Sequence, residues 1–154
     1  LNKEVDNMKL GAAFPIVNIG LFNPSKVVEL HIEKIKTRGE VYFSTNSQLT
    51  HTKASQLDFL LLFNREQNFI YKAKIKKYYF FENKGVPDDS AKLSPRPFIS
   101  APCKHWFKLS SITSISEKDL ENIHLLSAQM TSKYKTLNQY LSKGKRMQMF
   151  YIYE

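Results

Sequence analysis

The residues able to do chemistry are few in this chain, and their spacing argues little for catalysis. Four histidines, His31, His51, His105 and His124, are scattered without the His-x-x-x-His separation that puts two imidazoles on one helix face. Cys103 and His105 stand two positions apart, but no further His or acid follows at a matching interval. A satisfied or solvent-facing pair is expected there. Glu82-x-Lys84 matches part of a nuclease pattern, yet the Pro-Asp that should precede it, Pro87-Asp88, comes after it. Asp88-Asp89 could hold a cation, though two acids in a proline-containing loop are ordinarily just solvated. Five glycines are spread singly, so no phosphate-cradling loop is present. No active site, metal site or cofactor is specified.

What remains is aromatic residues beside lysines. Tyr71, Tyr78, Tyr79, Phe80 and Phe81 lie within a basic segment, and Trp106 and Phe107 lie between Lys104 and Lys108. Nucleic-acid grooves combine the same two ingredients: ammonium groups neutralise phosphates and aromatic faces stack bases. Aromatic residues on strands are first of all core. Trp106, the only tryptophan, directly follows the longest loop and is the one aromatic expected at a binding surface.

Charge distribution points the same way. The chain has 23 basic and 14 acidic residues, net +9. From Arg65 to Lys84 six basic residues face two acids, and from Lys133 to Arg146 five face none. These two segments carry the whole excess, the footprint of a polyanion-binding face or, alternatively, of a merely solvated lysine surface.

The elements that must position these residues follow from pattern. At 154 residues, 42% of them hydrophobic, the chain is expected to be one domain, 1–154, burying roughly two-thirds of its unfolded surface. It begins with Leu1, so it reads as a fragment of a longer protein, with Met8 as a possible natural start. A lone cysteine excludes an internal disulfide and a cysteine-based zinc site, so a reducing, cytoplasmic setting is expected. The longest apolar run, Phe59–Phe63, is too short to span a bilayer, and no membrane partner is expected.

A first strand is predicted near Ile16–Leu21, then a helix over Lys26–Thr37, capped by Ser25 and stopped by Gly39. Strands are predicted at Glu40–Asn46, Leu57–Phe63, Phe69–Tyr78, His105–Ile112 and Met147–Tyr153. In the third, Phe69, Tyr71, Ala73 and Ile75 alternate with Lys72, Lys74 and Lys76, which places three ammonium groups in a row; Lys76-Lys77 breaks the alternation and predicts a bulge. Glu82–Lys104, with four prolines, reads as a long loop. Ser116 and Asp119 resemble a capping box opening a helix over Glu117–Gln129, and a second helix is predicted over Lys133–Ser142. The sum is an α+β fold: a small, mixed, curled sheet or partial barrel with two or three flanking helices.

Three of these segments, Arg38–Asn46, Tyr71–Ile75 and Trp106–Ile112, occur in the order seen in PUA-like domains of the EVE and YTH kind. The chain resembles in particular the EVE-like specificity domains at the N-termini of modification-dependent restriction proteins. The resemblance covers roughly Ser25–Ile112, with Met147–Tyr153 as barrel closure. It implies a concave pocket for a flipped, modified base, DNA favoured over RNA, and an attached motor or nuclease. By position, Ser44, Thr45 and Asn46 would supply polar contacts and Trp106 and Phe107 an aromatic wall, to be completed by Tyr42, Tyr78 or Tyr79. Lys72, Lys74, Lys76, Lys104 and Lys108 would meet phosphates. Only one tryptophan is present, where a YTH-type methyl cage has two or three aromatic walls. Two other classes stay open: a protein-interaction module docking an acidic partner through the basic helix, and a nuclease.

Overall fold

The computed structural model describes residues 8–126, 136–143 and 148–154. A single seven-stranded sheet organises them. Its strands are β1 (Leu10–Pro15), β2 (Val41–Thr45), β3 (Phe59–Asn64), β4 (Phe69–Gly85), β5 (Cys103–Ser114), β6 (His124–Leu125) and β7 (Phe150–Tyr153). They lie in the order β2-β5-β4-β3-β1-β7-β6. All neighbours are antiparallel except β1 and β3. The helices are α1 (Pro24–Arg38), α2 (His51–Ala54), α3 (Ser90–Leu93), α4 (Glu117–Leu120) and α5 (Leu137–Lys143), with a 3-10 turn at Arg96–Phe98. The mixed α+β character is as expected, and the sheet is open and curled. No helix among the described residues is long and apolar enough to cross a membrane.

β3 explains its own sequence. Phe59 to Phe63 are all buried because both faces of this strand are covered, so no polar residue interrupts the run. One face packs under α1: Ala12, Phe14, Leu60, Leu62, Phe43 and Phe107 meet Val27 and Val28. The opposite face is divided. At one end Phe59, Leu61, Phe63 and Phe150 meet Leu120, Leu137 and Leu141. At the other, Tyr42 and Trp106 pack with Cys103, Val86 and Leu93.

Several boundaries move. The first strand is Leu10–Pro15, not Ile16–Leu21; its small residues Gly11, Ala12 and Ala13 let it lie between β3 and β7. Ile16–Leu21 is instead a turn-rich connection. The cap of α1 is Asn23, whose Oδ1 accepts from Lys26 N at 2.8 Å, so Pro24 opens the helix and Ser25 lies inside it. Gly39 ends α1 as predicted, its N–H donating to the Ile35 carbonyl. The bulge at Lys74–Lys77 is present, but β4 runs on to Gly85 because β5 pairs with it along its length. The expected loop is thus shortened and holds α3 and the 3-10 turn. The Ser116–Asp119 capping box forms, yet it opens a single turn, Glu117–Leu120; the chain then pairs with β7 as β6. Residues 127–129, 133–135 and 147, parts of predicted elements, lie outside the described residues.

Candidate functional site

Trp106 is not at a surface. It is fully buried, its Nε1 donates to the carbonyls of Gly85 (2.9 Å) and Cys103 (3.1 Å), and its ring meets Tyr42 edge-on at 5.6 Å. Phe107 is equally buried, but on the α1 side of the sheet against Tyr78 and Phe14. Consecutive strand residues face opposite ways, so these two rings cannot form one wall. The expected indole-lined hollow is therefore corrected. Tyr42 is buried too: its hydroxyl donates to Asp89 Oδ1 at 2.6 Å, and burial with the Asp89 carboxylate pushes its ionisation above the ordinary range. Tyr79 packs against Tyr42 at 6.0 Å.

The polar residues at the end of β2 divide. Asn46 is committed to structure, accepting from Lys104 N at 2.9 Å and donating to the Pro102 carbonyl at 3.4 Å. It ties the end of the proline-rich segment to β2 and is not free to read a base. Ser44 lines a cavity, and hydrogen bonding from it opposes the burial that raises the Cys103 thiol's pKa. Thr45 lines the same cavity, its Oγ1 donating to Ser47 Oγ at 2.8 Å and accepting from Ser47 N at 3.0 Å. His105 is buried with Nδ1 2.7 Å from the Tyr78 hydroxyl, a satisfied histidine as expected.

The lysine row is likewise dispersed. Lys72 pairs with Glu154 at 2.7 Å, Lys76 with Glu40 at 3.0 Å, and Lys108 with Asp89 at 3.2 Å. Burial works against the Lys108 charge, but the Asp89 carboxylate outweighs it and raises the lysine's pKa. Glu40 Oε2 finds no hydrogen bond among the described residues, though Lys108 Nζ lies 3.7 Å away. Lys74 and Lys104 stay exposed. Lys72 and Lys74 pair in register with Leu61 and Phe59, which puts them on the face opposite α1. Lys133, Lys135, Lys145 and Arg146, most of the second basic segment, lie outside the described residues.

A cavity lies on the α1 face. It encloses about 710 Å³ and is walled by the rings of Phe14, Phe43, Phe98 and His31, with Thr45, Ser47, Gln48 and Gln148 supplying polar atoms. Phe14 and Phe43 are 5.2 Å apart, and His31 lies 6.0 Å from Phe43 and 5.4 Å from Phe98. His31 is buried, with Nδ1 2.7 Å from the Val27 carbonyl oxygen. A carbonyl only accepts, so the proton sits on Nδ1 and Nε2 is left as an acceptor. Burial lowers the His31 pKa to about 4, against the opposing pull of the Val27 bond, so the ring is neutral at physiological pH. A second cavity of about 1040 Å³, lined by Asn64, Arg65, Glu66 and Asn138, shares Pro15, Ile16 and Val17 with the first.

Such a pocket suits a small, uncharged ring: aromatic side chains line it, with one imidazole acceptor and hydroxyl and amide groups to set orientation. Reading the histidines as scattered passes over His31; its signal was its place on the apolar stripe of α1, with Val28, Ile32 and Ile35. Among the described residues no three His, Cys, Asp or Glu side chains are grouped to hold a metal ion. No family model matches the chain, and neither a curated protein nor a solved structure does.

Proposed function

We propose that this domain binds nucleic acid and receives a flipped, modified base of DNA in the cavity beneath α1, as a PUA-like specificity module of the EVE and YTH kind. The observation that carries the proposal is the joint placement of four rings, Phe14, Phe43, Phe98 and His31, around a space of about 710 Å³ that Thr45, at the end of β2, also lines. That volume falls in the range of about 300–1,000 Å³ typical of small-molecule sites. Extruding a base costs a few kcal/mol of stacking, and an aromatic pocket returns part of it. The aromatic wall is supplied by other residues than Trp106, while the use of the β2 end is retained through Thr45. Net charge of +9 supplies the long-range attraction to a polyanion.

The test is anisotropy of labelled duplexes carrying or lacking a methylated base, titrated at several salt concentrations. Preference for one modified duplex is expected in the parent, weakened in Phe43→Ala and in His31→Leu. The His31→Gln variant keeps an acceptor near the Nε2 position and should retain more of it. Absence of binding to any oligonucleotide at low salt would overturn the proposal and favour a protein-interaction module.

A further inference from the structure

Between β1 and α1 the chain makes a feature that the fold itself does not use. Ile19 and Phe22 exchange both backbone hydrogen bonds, each at 2.9 Å, closing a two-residue hairpin over Gly20-Leu21. Gly20 has φ +59°, the left-handed value required at the first central position of a tight primed turn. The turn presents Leu21 fully to solvent. Val17 (60% exposed) and Phe22 (37%) flank it. An isolated exposed leucine is ordinary; three exposed apolar side chains within six residues are not. The segment leading into the hairpin belongs to the cavity: Val17 and Ile19 line it, and Val17 also lines the second cavity.

We propose that Leu21 is a wedge that enters the base stack of a duplex at the position vacated by the base held beneath α1. The inference rests on the base-pocket reading and deepens it. Apolar side chains inserted at a base step hold it unstacked. The hairpin is suited to this by size, because a two-residue tip is far smaller than the core of a stable protein interface, which needs about 1,000 Å² or more. It is suited by position, because the tip and the wall of the pocket are one continuous segment. A strongly basic chain brings the duplex to it.

The experiment uses the full chain and 2-aminopurine, placed at the target position or beside it, in three substrates: a paired duplex, the same duplex with an abasic site opposite the target, and the single strand. In the parent, binding to the paired duplex should brighten the probe. Leu21→Ala should lose this brightening and bind the paired duplex about tenfold more weakly, while the abasic duplex and single strand, already unstacked, bind as in the parent. Leu21→Phe should restore the signal. Leu21 supports no core contact, so unchanged melting of the variants is expected and checks their folding.

Brightening that persists in Leu21→Ala would overturn the wedge and leave the pocket standing. Equal weakening on all three substrates would overturn it too, marking a general contact. No brightening in the parent on any substrate would overturn the base pocket itself. Parent protein that partitions onto vesicles of phosphatidylcholine and phosphatidylserine, and Leu21→Asp that does not, would mark a lipid-seated tip and overturn the wedge.

Discussion

His31 Nδ1 lies 2.7 Å from the carbonyl oxygen of Val27, one turn back along the same helix. This single contact fixes the tautomer and turns the acceptor nitrogen away from the helix backbone, while burial, against the pull of the same contact, keeps the ring uncharged. It has a consequence for stability. The His31 pKa falls from 6.5 to about 4 on folding, so below pH 6.5 the unfolded chain binds the extra proton and the folded chain does not. The contribution is present above pH 6.5 and is lost progressively as pH falls toward 4, by on the order of 3 kcal/mol in total. Urea unfolding at pH 7, 5.5 and 4 should show the decline, and His31→Gln should flatten it over this window.

Trp106 should report on the core and not on the ligand. Its emission is expected to be blue-shifted, resistant to acrylamide quenching, and unmoved by added oligonucleotide. Trp106→Phe leaves the Gly85 and Cys103 carbonyls without their donor and should cost about 1–3 kcal/mol of stability. Base preference in that variant, measured well below its melting temperature, should equal the parent's.

Lys72 and Lys74 of β4 should prove nearly silent in binding. Lys72 is held by Glu154, and both Lys72 and Lys74 stand on the face opposite the cavity. Alanine at either position should leave affinity and its salt slope unchanged. Arg96 is exposed two residues before Phe98, and the Lys53 ammonium lies 4.4 Å from the Tyr151 ring in the cluster beneath α1. Alanine at each of these should lower the slope of log affinity against log salt by about one.

Asp89 holds the segment after β4 against the sheet. Its burial opposes ionisation, but hydrogen bonds from Tyr42 and Lys108 prevail and lower its pKa. The stabilising contribution is present at neutral pH and is lost as pH falls through this lowered value. Asp89→Asn keeps an acceptor for Tyr42 but removes the charge beside Lys108, and should cost about 1 kcal/mol. Hydrogen exchange should quicken in α3 and the 3-10 turn, while the amides of β3 stay protected.

Local pattern determined which residues share a face and where several elements stop. The unbroken Phe59–Phe63 run specified a strand buried on both sides, the Tyr71–Lys74 alternation specified a two-faced strand, and Gly39 and the Ser116–Asp119 box marked helix ends. These depend on contacts within a few residues. Period two also implied that Trp106 and Phe107 point apart. That both faces of β5 become interior was decided only when α1 covered one and the segment from Val86 to Pro102 folded over the other, bringing Leu93 and Asp89 to Trp106 and Tyr42. Tertiary structure likewise paired Lys72 with Glu154, 82 positions away, and set Phe98 opposite His31 to complete a ring-walled space. The physical reason is that a repeat in sequence records the direction of a side chain relative to its own backbone. Whether that direction ends in solvent, core or cavity depends on what distant chain covers it, and the free energy of that covering is shared among contacts no local pattern contains.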